Sequence, residues 1–284
     1  MIEIIYMDVD GTLRDEALGI FPKNVQALEK CREQGIKIVI CTGRNPGSVQ
    51  EDVLRLETDG IIAGGGCYIQ YHGNVLKETF FQTHEIENIQ ALLDAYALSA
   101  SFEGKQKIFM NSGAVKFYTK DLLEKADARK TAAMPSAERF PENKISYEDN
   151  FSDFNAASEK IHKVCLMGGR ENVLAARQAA VPFSNIVQEK CWHGQWYLEL
   201  LPSGCDKGSA VAYVNRYLAI SKEHAMSFGD GGNDLDMFKE TGIRIAVENA
   251  EQEILEAADF ICAPPAGDGI YKELLRQGLL ADAG

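Results

Sequence analysis

The 284-residue sequence is short of positive charge: 29 lysines and arginines face 42 aspartates and glutamates, for a formal net charge of -13. Nucleic acids are held by cations that neutralise their phosphates, so no nucleic-acid partner is expected of this balance. Long apolar runs are also missing. No uninterrupted stretch approaches the ~20 residues that cross a bilayer, and the N-terminus has neither the basic start nor the apolar segment of a signal peptide. No membrane partner is expected. Seven cysteines, at 31, 41, 67, 165, 191, 205 and 262, form no C-x-x-C pair and no zinc-like grouping with histidine. Most lie in apolar stretches such as Lys37 to Cys41 and Lys163 to Met167, which reads as buried, reduced thiols in a cytoplasmic protein. The sequence lacks a G-x-S-x-G elbow, a G-x-x-x-x-G-K-[ST] phosphate loop and an H-E-x-x-H helix. With no metal-ligand spacing among His72, His84, His162, His193 and His224, any chemistry falls to carboxylates.

What is present is 45% hydrophobic residues, enough to fill a sizeable core, over a length that suits two domains. From the N-terminus the pattern alternates strand and helix, the mark of a parallel sheet with helices on its faces. A strand over 2–7 precedes a helix over 22–34, with Pro22 suited to its first turn and Gly35 to its end. A strand over 36–41, a helix over 46–56 and a short strand over 60–63 follow. Residues 67–71 and 75–81 flank His72-Gly73-Asn74 as a hairpin. The rhythm then changes to helix (85–97) with strands 107–111 and 114–118, and helix (171–180) with strands 185–190 and 196–201; 131–153 carries no clear pattern. From Lys207 the α/β alternation returns, with helices over 208–218, 235–240 and 251–257 and strands over 225–229, 243–247 and 260–262. The expected architecture is a Rossmann-like α/β core with an inserted α+β cap: core over 1–82, cap over 83–190, core again over 191–284.

Asp8-Val9-Asp10-Gly11-Thr12 sets two carboxylates one residue apart at the end of the first strand. Unit charges a few Å apart repel by about 4 kcal/mol at an effective dielectric of ~20, so the pair calls for a cation. An EF-hand loop is excluded, because its sixth and twelfth positions would be Leu13 and Gly19 rather than Gly and Glu. Alone, the motif reads first as a turn cap. Thr42-Gly43-Arg44 ends the second strand, Lys207 opens a helix, and Gly229-Asp230-Gly231-Gly232-Asn233-Asp234 ends another strand. Each alone has a bland reading, as a cap, a solvated lysine or a glycine turn. The shared address of Asp8, Asp10, Thr42, Asp230 and Asp234 at the carboxyl ends of strands, where open parallel sheets gather ligands, is the stronger signal.

Taken in order, these four segments resemble the motifs of the haloacid dehalogenase superfamily. The spacing resembles its Cof-type branch with a type IIB (C2B) cap, since only the stretch from Thr42 to Lys207 can hold a domain. Ala246 to Ala250 and Gly267 to Ile270 also resemble this branch. Gly64-Gly65-Gly66 stands where Asn-Gly-Ala is common, and Arg14 where an apolar residue is commoner. The resemblance implies a phosphatase acting on a small phosphorylated metabolite, a sugar phosphate or phosphorylated cofactor, with no obligate protein partner. It implies Asp8 as nucleophile, forming an aspartyl-phosphate, and Asp10 as proton donor and then acceptor. Mg²⁺ would be held by Asp8, the Asp10 backbone carbonyl and Asp230, with Asp234 orienting a ligand water. Thr42, the N–H groups of Val9 and Gly43, Lys207 and Asn233 would hold the phosphate oxygens. The proximity of Asp8 and Asp10 should raise the apparent pKa of the pair. Arg44, Asn111, Lys116, Lys190, Trp192 and His193 are candidates for contact with the leaving group. A sugar phosphomutase with the same covalent chemistry and a non-catalytic sensor of phosphorylated metabolites are the alternatives.

Overall fold

The computed structural model describes all residues except Glu16, 121–147, His193 and 281–284. Its strands are, in chain order, β1 (Ile4–Met7), β2 (Arg14–Asp15), β3 (Gly19–Ile20), β4 (Lys37–Cys41), β5 (Gly60–Ala63), β6 (Tyr68–Tyr71), β7 (Asn74–Glu78), β8 (Ser99–Gly104) and β9 (Ile108–Met110). They continue with β10 (Ile161–Gly168), β11 (Ser184–Trp192), β12 (Gln195–Pro202), β13 (Ala225–Gly229), β14 (Ile243–Val247) and β15 (Phe260–Cys262). Eight of them form one sheet in the order β15-β14-β13-β1-β4-β5-β6-β7. The run from β15 to β5 is parallel, and the β6–β7 hairpin closes the far edge antiparallel.

β1 lies at the centre of this sheet and all four of its residues are buried, as a parallel strand covered on both faces requires. Its side chains alternate. Ile5 and Met7 pack with Ile38, Ile40 and Phe228 under the helices Pro22–Glu33 and Gly269–Arg276. Ile4 and Tyr6 pack with Val39 and Cys41 under the helices Lys207–Tyr217 and Leu235–Lys239. The chain leaves β1 towards β4 on one side and returns to β13 on the other. Such a reversal opens a crevice beyond the strand ends, and the ends of β1, β4 and β13 carry Asp8, Thr42 and Asp230.

The second sheet has five antiparallel strands in the order β11-β12-β10-β8-β9. One face carries Phe102, Val164, Leu166, Leu198 and Leu200, buried beneath Ile86, Ile89 and Leu93 of the helix Thr83–Tyr96 and Val173 and Ala176 of the helix Arg170–Ala180. The apolar run 163–167 is thus the middle of β10, the central strand of this sheet. The sheet extends through Pro202, so a boundary after 190 cuts β11; the β11–β12 hairpin keeps both strands together.

Two local expectations are corrected. Residues 114–118 are not a strand but part of a helix spanning 112–120. The edge strand β9 takes β8 as its partner instead, pairing Phe109 with Phe102. Asn111 Oδ1 accepts from the Ala114 N–H at 3.1 Å and starts the helix, which buries Ala114 and Phe117 three residues apart on one face. The helix expected over 46–56 is broken into a turn at Pro46–Ser48 and a single turn at Glu51–Leu54, with Val49 and Gln50 extended between them. Gln50 is drawn onto Asp10 (2.9 Å) and Asp52 onto Arg14 (2.8 Å), which sets the break. Arg14 is therefore matched by a buried carboxylate in place of apolar packing.

Six of the seven cysteines are buried, Cys191 is exposed, and all are free thiols. Among the described residues, no helix is long and apolar enough to cross a membrane.

Candidate active site

The site is assembled around Lys207. Asp206 starts its helix by accepting the Ser209 N–H at 2.6 Å, which places Lys207 at the first helical position, pointing beneath the strand ends. An ammonium beside a helix N-terminus opposes the dipole and needs anions. Two are supplied: Nζ lies 2.7 Å from Asp8 Oδ1 and 2.6 Å from Asp234 Oδ1. The second oxygen of Asp234 accepts the N–H groups of Asp230 (3.0 Å) and Gly231 (3.2 Å), which folds the glycine turn after β13. Lys207 and Asp234 are almost wholly buried.

Asp8 leaves one oxygen over. Its Oδ2 is buried and has no hydrogen-bond partner. Asp230 sits alongside, with Thr12 Oγ1 at 3.4 Å from its Oδ1. Gly11 makes that approach possible: it has φ +89°, and a Cβ there would stand 2.2 Å from Asp230 Oδ2. Gly11→Ala should therefore displace Asp230 and weaken metal affinity, with a backbone strain cost on the order of 1–3 kcal/mol, read by metal titration and thermal melting.

Burial pushes the Asp8 carboxyl up to about 7, the Lys207 charge opposing and the Asp234 and Asp10 charges adding. Burial, then the charges of Asp8 and Asp234, push Asp230 up to about 9. Burial acts to lower Lys207, but Asp234 and Asp8 outweigh it and hold the ammonium well above its usual range. Asp10 goes the other way. Burial raises it, yet the Arg44 guanidinium and the hydrogen bonds from Arg44 and Gln50 prevail and hold it below the ordinary carboxylate range. Arg44 grips it in bidentate fashion, Nε to Oδ2 at 2.5 Å and Nη2 to Oδ1 at 2.9 Å. The expectation that the neighbouring pair rises together is thus corrected: Asp8 rises and Asp10 falls, because Asp10 has its own cation.

Asp8, Asp230 and Asp234 bring carboxylate oxygens within 4.8 Å of one another, a cluster that could hold a metal ion. The oxygens of Asp234 are already taken by Lys207 and two N–H groups, and those of Asp10 by Arg44 and Gln50. The unpartnered Asp8 Oδ2 and the carboxylate of Asp230 are the oxygens left for it, and an all-oxygen set suits a hard divalent cation. Without a cation, the raised carboxyls contribute stability that is full below their unfolded pKa near ~4 and lost as pH rises through about 7 and about 9. Metal-free protein should accordingly melt lower at pH 9 than at pH 6, and a bound divalent cation should raise the melting temperature more at pH 9. Melts with a chelator and with added metal check this.

Of the other expected residues, Thr42 is buried and its Oγ1 accepts the Arg44 N–H at 3.1 Å. The Val9 carbonyl accepts the N–H groups of Thr12, Leu13 and Arg14, winding the loop that presents Asp8 and Asp10. Gly43 lies beside Asn233, whose Nδ2 would be 3.5 Å from a Cβ at that position. The candidates for leaving-group contact fare differently. Arg44 is bound to Asp10; Asn111 caps a helix and joins it to the Ala100 N–H at 3.2 Å; Lys116 is exposed. Lys190 stacks over the Trp192 ring, which packs edge-on against Phe117 and Tyr197. His193 lies outside the described residues. Residues that the motifs do not single out also reach the site: Gln50 on Asp10 and, from the second sheet, Lys163, whose Nζ donates to the Gly43 carbonyl at 2.9 Å and lies 3.4 Å from both Glu103 and Glu199. For Lys163 and Glu199 the signal was a charge set inside a largely apolar strand.

A Rossmann-like sheet with a strand-end aspartate, a buried lysine and an acidic turn, covered by a second sheet, defines a phosphoryl-transfer hydrolase of the capped α/β class. The family model for haloacid dehalogenase-like hydrolases matches residues 5–274, and the chain belongs to that family, in its Cof-type IIB branch. YxeH of Bacillus subtilis (strain 168) is 29% identical over 278 residues, 92% of each chain. The 5-amino-6-(5-phospho-D-ribitylamino)uracil phosphatase YwtE of the same organism is 25% identical, covering 95% of this chain and 96% of that one. Among solved structures, the subclass IIB sugar phosphatase BT4131 superposes with a TM-score of 0.75 at 23% identity, over 98% of this chain and 100% of that chain. The protein is a phosphatase.

Proposed function

We propose that this phosphatase hydrolyses a small phosphorylated metabolite, a sugar phosphate or a phosphorylated cofactor, with Mg²⁺ as its metal and the cytoplasm as its compartment. The observation that carries the reading is Asp8: a strand-end carboxylate with one oxygen fixed by Lys207 and the other unpartnered. The open oxygen can take the cation, and the oxygen oriented by Lys207 is then the one that bonds phosphorus as the ammonium turns to the phosphate. Asp8, Asp230 and the Asp10 backbone carbonyl would hold the cation, which when bound offsets the charge of the phosphate as the carboxylate approaches.

In the first step Asp8 attacks phosphorus and the alcohol leaves, giving an aspartyl-phosphate and splitting one displacement into two. Lys207 at Asp8, the hydroxyl of Thr42, the N–H groups of Val9 and Gly43, and Asn233 hold the phosphate oxygens. Asp10 supplies the proton to the leaving oxygen and then takes one from the attacking water. Clamped by Arg44 and Gln50, it is kept ionised and ready for the second of these roles; the first requires the clamp to loosen. Asp234 acts through others, fixing Lys207 and the backbone of Asp230. We take 1–82 and 203–284 as the core and 83–202 as the cap, whose seating over Gly43 would exclude water during the first step.

A phosphate-release screen over sugar phosphates, pyridoxal phosphate, flavin mononucleotide and nucleotides, with and without Mg²⁺, tests the reading. Metal-dependent release from a subset is expected. No release from any ester would overturn it, and an isomerised sugar phosphate in place of free phosphate would turn it into a mutase.

A further inference from the structure

The second sheet has two unlike faces. One is apolar and lies under two helices, as described above. On the other, alternation brings Ser101 and Glu103 of β8, Lys163 and Cys165 of β10, and Tyr197 and Glu199 of β12 to one side, with Glu103 paired in register to Lys163 and Glu199 to Cys165. Both carboxylates and the ammonium are buried, at 7%, 5% and 7% exposure. Burying three charges is costly unless they are matched, and stability alone does not call for it.

The cluster is ordered. Lys163 Nζ lies 3.4 Å from Glu103 Oε2 and 3.4 Å from Glu199 Oε2, and it donates to the Gly43 carbonyl at 2.9 Å. Tyr197 donates to Glu199 Oε2 at 3.1 Å, and Ser101 to Glu103 Oε1 at 3.3 Å. Glu199 Oε1 lies towards Gly43, 3.9 Å from where a Cβ would stand. Glu199 also lines a cavity of about 170 Å³ whose wall includes Lys207 and Asn233 on the catalytic side and Ile186 and Val187 on the other. The cations nearest this space are already engaged: Lys207 with Asp8 and Asp234, Lys239 with Asp236 at 2.6 Å, and Lys163 between two carboxylates. Two carboxylates about one ammonium leave a net negative charge where the leaving group must lie.

We propose that Glu199, aligned by Lys163 and Tyr197 and backed by Glu103, is the residue that selects the leaving group: it accepts from hydroxyl or ammonium donors and repels a second anionic group. The substrates it admits are phosphate monoesters of neutral polyols or amino alcohols; phosphorylated acids and bisphosphates are turned away by like charge. The inference rests on the phosphatase reading.

Glycerol 3-phosphate and 3-phosphoglycerate differ only in a hydroxymethyl group against a carboxylate, so they isolate the charge. With the full chain and Mg²⁺, kcat/KM should favour glycerol 3-phosphate by about tenfold or more, the equivalent of about 1.4 kcal/mol. Glu199→Gln should shrink that ratio, chiefly through KM. Lys163→Met, which leaves the carboxylates unbalanced, should widen it. The opposite signs separate charge selection from general damage, and either variant decides should the other fail to fold. Comparable kcat/KM values for the two esters in the wild type overturn the inference, as does an equal loss on both esters in each variant. Absence of release from p-nitrophenyl phosphate and every other ester would instead remove the phosphatase reading beneath it.

Discussion

Asp8→Asn is expected to lower phosphatase turnover by ~10⁴-fold or more while the protein stays folded, as loss of a covalent nucleophile does elsewhere. The amide keeps the shape of the carboxylate but cannot bond phosphorus. Its effect on stability should carry the opposite sign. Asp8 sits where burial disfavours its charge, its carboxyl pushed up to about 7, and Lys207 retains Asp234 when the charge is removed. Metal-free Asp8→Asn should therefore melt at or above the wild type at pH 9, where the wild-type carboxylate is forced to ionise, and the advantage should fade towards pH 6. Phosphate release and paired thermal melts read both effects. Wild-type rates in this variant would remove Asp8 as the nucleophile; a large fall in melting temperature at pH 9 would remove the account of its burial.

Lys207→Met is expected to be the most destabilising single change in the site. Methionine fills much of the same space but leaves Asp8 and Asp234 buried without their cation, and breaking a buried ion pair from one side costs about 3–5 kcal/mol. For a chain of this size that is a fall on the order of 10 °C in melting temperature. The loss should be smallest at low pH, where the orphaned carboxyls take up protons, and a divalent cation should restore part of it by supplying positive charge to the same oxygens. Turnover should fall as well, since Lys207 fixes Asp8 Oδ1 and, in the proposed mechanism, holds a phosphate oxygen. A variant as stable as the wild type at pH 8 without metal would show that the three side chains do not depend on one another as their distances of 2.6 and 2.7 Å require.

The core was largely legible in sequence because its elements obey local rules. Strands 225–229, 243–247 and 260–262 are apolar runs bounded by turn residues, and they are found at those residues. The helix from Pro22 ends one residue early, at Glu33. The second sheet was less legible. β8 reads Ser-Ala-Ser-Phe-Glu-Gly, with few of the β-branched residues that mark a strand, and it became one through pairing with β9 and β10. Residues 114–118 have the apolar and aromatic content of a strand, but the buried positions Ala114 and Phe117 follow helical spacing. Gly64 to Gly66 shows a departure from the family pattern with a local structural consequence. A Cβ on Gly66 would stand 2.1 Å from the Asp206 carbonyl, so the glycine lets the end of β5 pack directly against the segment leading into the Lys207 helix.

The sequence by itself determined where the motif residues lie and in what order, because Asp8, Asp10, Thr42, Lys207 and Asp230 all follow strand or helix boundaries that short-range patterns specify. It did not determine how the two first-loop carboxylates differ, nor which residues of the second sheet stand beside them. Those depend on through-space neighbours 34, 40 and 120 positions away, Arg44 and Gln50 on Asp10 and Lys163 on Gly43. Charge and burial act over a few Å whatever the separation along the chain, so only the packed tertiary structure could assign Asp10 its cation, Asp8 its open oxygen and Glu199 its place above them.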